Sequence, residues 1–168
     1  MSTDVASFIE TLKELGFDFE FLSETAVANA PAGLSVDSGN AYEGALGDHC
    51  VLVYKIATKI AAMVATTLPV DKESLRKVCM LHQIAKAEMF VPNTEEWQRK
   101  KGQLYKFAET PGVLKVGERS TMLASNCGIK FTPEEYEAMR ILDKTGEDYE
   151  KQKYSISTEF VTVRICSS

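Results

Sequence analysis

Two long segments with helical periodicity, separated by a short connection containing Pro69, constrain the fold of this chain more than any other feature. Between residues 46 and 66, apolar residues recur at intervals of three and four: Leu46, Cys50, Val53, Ala57, Ile60 and Val64. This spacing predicts a helix with one buried stripe. Residues 72–90 show the same periodicity, and Asp71 is placed to cap that helix. Because the connection is short, we expect the two helices to pack side by side.

Shorter signals flank this pair. Residues 4–15 predict a helix that stops at Gly16, and residues 26–42 are rich in small and polar residues, which predicts an irregular connection. Spaced aromatic residues over 95–107, interrupted by Lys101-Gly102, predict a small β-hairpin with Gly102 in the turn.

The second half of the chain contains two more predicted helices. One covers residues 117–126. The other begins at Thr132-Pro133-Glu134-Glu135, where Thr132 can cap and Glu135 completes a capping box, and it runs to about Lys144. The last segment is ambiguous: Val161, Val163 and Ile165 alternate as in a strand, whereas Ile156, Phe160 and Val163 keep helical spacing.

Length and composition predict one domain over residues 1–168, with 45% hydrophobic and 26% charged residues. The net charge is -5 and the longest basic run is Arg99-Lys100-Lys101, so we expect no nucleic-acid partner. No segment reaches the roughly 18 consecutive apolar residues of a membrane span, and residues 1–7 contain no signal-peptide features. We therefore expect a cytoplasmic protein with no membrane partner.

Cysteine spacing points to the same compartment. The four cysteines are far apart and form no Cys-x-x-Cys pair: Cys50, Cys79, Cys127 and Cys166. This pattern favours free, buried thiols over a disulfide framework or a zinc site.

The chain has two histidines, and each lies on one of the two long predicted helices. His82 occupies a position in the stripe of its helix where an apolar residue is expected, and His49 lies near the start of the other helix. If the helices pack side by side, both imidazoles come together. Each could be a ligand-binding group or a buried side chain that is hydrogen-bonded to a neighbour.

An ordered set of fragments resembles a group of bacterial HD-domain proteins, which are metal-dependent phosphohydrolases. Asn40-Ala-Tyr-Glu-Gly-Ala-Leu-Gly-Asp-His49 resembles their Tyr-Glu-Gly-Gly-Leu-Leu-Glu-His, and Met80-Leu-His-Gln-Ile-Ala-Lys86 resembles Leu-Leu-His-Asp-Leu-Cys-Lys. Residues 97–105 resemble their charged hairpin, Val116-Gly-Glu-Arg-Ser120 resembles His-Gly-Glu-Lys-Ser, and residues 132–140 resemble the helix that follows. The resemblance covers about residues 5–168.

The resemblance implies an all-α, HD-domain-like helical bundle with the small β-hairpin inserted near 95–107. In active members, histidines and aspartates hold one or two divalent metals, which activate a water that attacks a phosphate ester. This chain departs from that pattern. Gln83 stands in place of the aspartate and Val116 in place of a histidine; a further histidine falls at Leu142 or Asp143, and the last aspartate falls near Cys166 or Ser167.

These departures predict a catalytically degenerate HD-like protein that binds a small phosphorylated ligand or a protein, with no metal or other cofactor expected. The candidate cleft residues are His49, His82, Gln83, Lys86, Arg119 and Ser120. Lys86 and Arg119 could hold a phosphate, or they could be surface residues that pair with carboxylates.

Two alternatives stay open. In the first, the chain is a metal-dependent phosphohydrolase of nucleotides or phosphate esters with a rebuilt single-metal site. His49, His82 and Asp143 would hold the divalent metal, and Lys86 or Arg119 would neutralise the phosphate. In the second, the chain is a structural or assembly protein whose cleft is packed shut. A homodimer is compatible with every reading.

Overall fold

The described part of the chain, residues 2–67, 69–109 and 114–141 of a computed structural model, is mostly helical with a two-stranded antiparallel sheet. Its elements are α1 (Thr3–Glu14), α2 (Glu24–Ala28), α3 (Ala45–Val64), α4 (Lys72–Leu81), α5 (Lys86–Met89), β1 (Phe90–Pro92), α6 (Glu96–Lys100), β2 (Tyr105–Phe107), α7 (Val116–Asn126) and α8 (Pro133–Ile141). None of the described helices combines the length and the apolar character that crossing a membrane would require.

Helix α3 packs against α1 on one side and α4 on another. The approach to α1 is close because Gly47 has no side chain: a Cβ there would lie 3.2 Å from Val5 Cα and 3.1 Å from the Phe8 ring. The centre of the core consists of fully buried side chains from five parts of the chain: Phe8, Leu12, Leu46, Leu81, Ile84 and Met139. The predicted pairing of the two long helical segments is therefore confirmed.

Two predicted helix starts are confirmed by their caps. Asp71 Oδ2 accepts a hydrogen bond of 2.7 Å from the Ser74 N–H, and hydrogen bonds from Ser74 lower the pKa of this carboxyl. At the start of α8, the Glu135 N–H donates to Thr132 Oγ1 over 3.2 Å and the Thr132 N–H donates to Glu135 Oε2 over 3.0 Å, which is a capping box. Glu135 also accepts from Ser74 and Lys77, and thereby joins α8 to α4.

The predicted single helix over 72–90 is wrong, because the chain bends after α4. The backbone passes through tight turns between His82 and Ala85 before α5 begins. The Ala85 N–H, which would donate to Leu81 in a continuous helix, donates instead to Ser120 Oγ on α7 over 3.1 Å. A residue distant in sequence therefore accepts the hydrogen bond that the helix would need to continue.

The predicted hairpin exists in part, but its position is different. Its strands pair Phe90 with Phe107 and Pro92 with Tyr105, so β1 lies before the predicted segment. Between the strands, residues 96–100 form α6 and do not extend the hairpin. Gly102 was predicted in the hairpin turn; it has a positive φ of +84°, but it follows the end of α6 and is not the centre of a two-residue turn.

The predictions for the end of the chain lie outside the described residues. These are the continuation of α8 to Lys144 and the choice between helix and strand over residues 156–165. Residues 26–42, predicted to be irregular, overlap the end of α2 and contain a short 3-10 turn at Val36–Ser38.

Candidate functional site

The side-by-side packing of α3 and α4 brings the two histidines together. His49 lies in the first turns of α3 and His82 directly follows α4, and their ring centroids are 5.6 Å apart with an angle of 47° between the planes. His82 is buried, with 5% of its surface exposed, whereas His49 is half-buried. The predicted proximity of the imidazoles is therefore found.

Both imidazoles are in surroundings that favour the neutral form. His82 Nδ1 lies 2.8 Å from the Cys79 carbonyl oxygen, and because a carbonyl can only accept, Nδ1 carries the proton. The pKa of His82 is lowered to about 3, mainly by burial and secondly by the nearby His49. Burial, followed by the charge of Lys86, also lowers the pKa of His49. At neutral pH the pair therefore offers uncharged imidazoles, with Nε2 of His82 unprotonated.

Lys86, in the first turn of α5, brings a positive charge to this pair. Its Nζ donates to the Ala32 carbonyl over 2.7 Å and to Gln83 Oε1 over 2.8 Å, and it lies 5.5 Å from the centre of the Phe90 ring. These contacts fix the ammonium group where its field reaches both histidines. The amide oxygen of Gln83, which replaces the acid that the resemblance implies, is thus bound to a cation.

The other two predicted cleft residues have partners that connect elements. Arg119 Nε donates to Glu88 Oε1 over 2.6 Å, which joins α7 to α5, and only 12% of the Arg119 side chain is exposed. Ser120 is fully buried and accepts from the Ala85 N–H. Both residues therefore stabilise the bend that places Gln83 and Lys86.

The described donor groups do not fit a hard divalent metal. Such ions prefer carboxylates, and a lysine ammonium beside two imidazoles opposes a second cation. Within residues 2–67, 69–109 and 114–141, no three His, Cys, Asp or Glu side chains are grouped so that they could hold a metal ion. Val116 is half-buried against the core and has no ligand atom. Asp143 and Leu142 lie outside the described residues.

Sequence reasoning missed some of the groups that shape the site. Gln83 and Lys86 were both predicted as cleft residues, but their hydrogen bond to each other was not. Their separation of three residues is a usable signal for that hydrogen bond, because such positions are neighbours on a helical turn. The Ala32 and Cys79 carbonyls give no such signal, because every residue carries a carbonyl. Phe90 was predicted to end the helix over 72–90, whereas it is the first residue of β1.

Compared with known proteins, the chain matches no protein-family model, no curated protein and no solved structure.

Proposed function

We propose that the chain is a catalytically degenerate, HD-like domain that binds a small phosphorylated ligand without hydrolysing it. The observation that carries the proposal is the position of Lys86, whose ammonium group is held beside His49 and His82 by Gln83 and the Ala32 carbonyl. The proposed binding site consists of His49, His82, Gln83 and Lys86.

The charge balance of this group favours an anion. Lys86 is a cation, and the described groups around it, namely the two neutral imidazoles, the Gln83 amide and the Ala32 carbonyl, carry no negative charge. Neutral His49 can still donate one hydrogen bond and the Gln83 amide contributes N–H donors, whereas the single N–H of His82 is already bound to the Cys79 carbonyl. Phosphate oxygens are strong acceptors that pair readily with such donors and with a lysine.

The same residues argue against phosphoester hydrolysis. A metal-activated water requires ligands that hold the cation, and Gln83 directs its oxygen to Lys86. Val116 stands where the resemblance implies a histidine and cannot coordinate. A bound phosphate would therefore lack the metal that both polarises it and supplies the nucleophile.

The test is a titration with inorganic phosphate and pyrophosphate, in which the imidazole NMR signals of His49 and His82 report binding. We expect saturable shifts of both signals, and Lys86→Met should weaken binding about 10-fold or more, as expected for loss of a charge-assisted contact. Lys59→Met, an exposed change on α3, is the matched control and should bind like the parent. Unchanged imidazole signals at saturating anion, or equal affinities of the two variants, would refute the proposal.

One observation favours the alternative, a rebuilt single-metal phosphohydrolase. The Nδ1–H of His82 is bound to a backbone carbonyl and Nε2 is unprotonated, which is the arrangement that metal-binding histidines use. His49 is close enough to contribute a second imidazole. The alternative requires stoichiometric divalent metal after purification without chelators, and hydrolysis of p-nitrophenyl phosphate that is lost in His49→Ala and His82→Ala.

A further inference from the structure

A groove lies between the C-terminal half of α3 and the start of α4, and none of its described lining residues belongs to the histidine site. Its lining runs from Tyr54 to Ala65 on one side and from Pro69 to Leu75 on the other, and its volume is about 340 Å³. Along α3, Tyr54 lies five residues after His49 and Ala62 lies thirteen after it, so this side of the groove extends from about 8 Å to about 20 Å from His49 along the helix axis. The two sites are therefore separate.

Small side chains create the groove. Ala61 and Ala62 on α3 and Ala65 directly after it line the groove, and larger residues at these positions would fill the space. Pro69, Val70 and Leu75 close the other side, so most of the surface is apolar. A concave apolar surface of this volume is near the lower end of the range for small-molecule sites.

The lining contains few polar side chains, and one of them is charged. Lys72 is the charged residue of the described lining, and Tyr54 and Thr58 contribute hydroxyls. Asp71, the neighbouring acid, binds the Ser74 N–H with its carboxylate. The groove thus combines a hydrocarbon surface with one ammonium group, and none of its described lining residues is acidic.

We propose that this groove binds a free monocarboxylate with an unbranched hydrocarbon chain. The chain would lie on the alanines, and the carboxylate would pair with Lys72. The number of carbons that the groove holds is determined by measuring a series of chain lengths. The proposal is independent of the phosphate site at Lys86.

The first experiment measures affinity by calorimetry for hexanoate, octanoate, decanoate and dodecanoate, each below its micelle concentration. We expect binding to tighten about fourfold for each added methylene and to level off once the groove is full, because each buried methylene contributes a constant increment. Decylammonium, which has the same chain and the opposite charge, should bind at least 10-fold more weakly than decanoate. Equal affinity for the two head groups, or no saturable binding of decanoate, would overturn the proposal.

Matched variants locate the site. Lys72→Glu should reverse the preference between decanoate and decylammonium, whereas Lys59→Glu, outside the lining, should leave it unchanged. The double variant Ala62→Leu/Ala65→Leu fills the groove at two exposed positions and should abolish decanoate binding. Ala6→Leu, an exposed alanine on α1, is the control for adding leucine to a helix surface.

A second copy of this chain is the competing occupant of the groove. Sedimentation of the parent at increasing concentration therefore accompanies the titrations. A monomer that binds decanoate and loses binding in the filled variant is the expected result. A dimer that the filled variant disrupts would show that the groove is a self-association surface, and would overturn the carboxylate assignment.

Discussion

At the scale of single residues, the small side chain of Ser120 stabilises the bend after α4. Its hydroxyl accepts from the Ala85 N–H in a fully buried position. Ser120→Ala leaves that N–H without its partner, so we expect the free energy of unfolding to fall by about 1–3 kcal/mol. Urea unfolding followed by circular dichroism measures the change. Ser125→Ala, an exposed serine on the same helix, is the control and should differ little from the parent.

His82 predicts a specific dependence of stability on pH. Its pKa in the folded protein is lowered to about 3 by burial and by His49, whereas an unfolded histidine titrates near its ordinary value of 6.5. Between these values the unfolded state binds the proton and the folded state does not. The contribution of neutral His82 to the free energy of unfolding is therefore fully present above pH 6.5. It is lost as pH falls toward 3, by up to about 1.4 kcal/mol per pH unit.

Comparison with His82→Gln isolates this effect from the titration of the acids. The difference in unfolding free energy between parent and variant should change with pH below 6.5 and be constant above it. His49→Gln is the companion variant and should show a smaller change, because His49 is only half-buried. A difference for His82→Gln that is independent of pH from 4 to 8 would contradict the lowered pKa.

How much of the site could be predicted from sequence depends on the kind of atom involved. The histidine pair was predictable, because helical spacing and a short connection bring His49 and His82 to one place. The partners that fix Lys86 were only half predictable: Gln83 lies three residues away, but the Ala32 carbonyl belongs to an irregular segment with no distinctive residue. Backbone acceptors have no residue-type signature.

At the scale of elements, local signals predicted the helices that depend on local physics. The predicted starts at 4, 46, 117 and 133 each lie within one residue of the starts of α1, α3, α7 and α8. The bend after α4 could not be predicted in this way. The apolar periodicity continues through residues 82–85. The hydroxyl that accepts the hydrogen bond from the Ala85 N–H belongs to Ser120, which is 35 residues further along the chain.

The connection between the strands depends on Gly102. This residue has φ of +84°, and a Cβ there would lie 2.5 Å from Val36 Cγ2. Gly102→Ala should therefore destabilise the protein by about 1–3 kcal/mol through backbone strain, with an added steric term from the clash. Thermal unfolding measures the total. In a double-mutant cycle, Val36→Ala should recover the steric part alone; complete recovery would show that the positive φ costs nothing.

At the scale of the whole molecule, one core connects helices from both halves of the chain. Phe8, on α1, is fully buried, and so are Cys50 on α3, Cys79 on α4 and Cys127 after α7. Phe8→Ala should reduce the free energy of unfolding by about 3–5 kcal/mol. Because the core is continuous, we expect this loss of stability to raise the reactivity of all three thiols.

Alkylation followed by mass spectrometry of the three cysteine-containing peptides measures this directly. All three rates should rise by a similar factor in Phe8→Ala, as expected when each thiol becomes reactive only through global unfolding. Ser7→Ala, an exposed neighbour on the same helix, is the control. Faster labelling of Cys50 alone would show that α1 detaches from α3 without unfolding of the rest.

The hydrogen bond between Ala85 and Ser120 has a consequence for the order of events during synthesis. The segment over 72–90 is synthesised before Ser120, and in the absence of α7 its own periodicity favours an unbroken helix. Only after α7 has been made can the Ser120 hydroxyl accept the hydrogen bond from the Ala85 N–H and stabilise the bend. A released fragment that ends near residue 109 should hold Lys86 in a straight helix, away from the Ala32 carbonyl, so the proposed anion site would form only after α7 has been made.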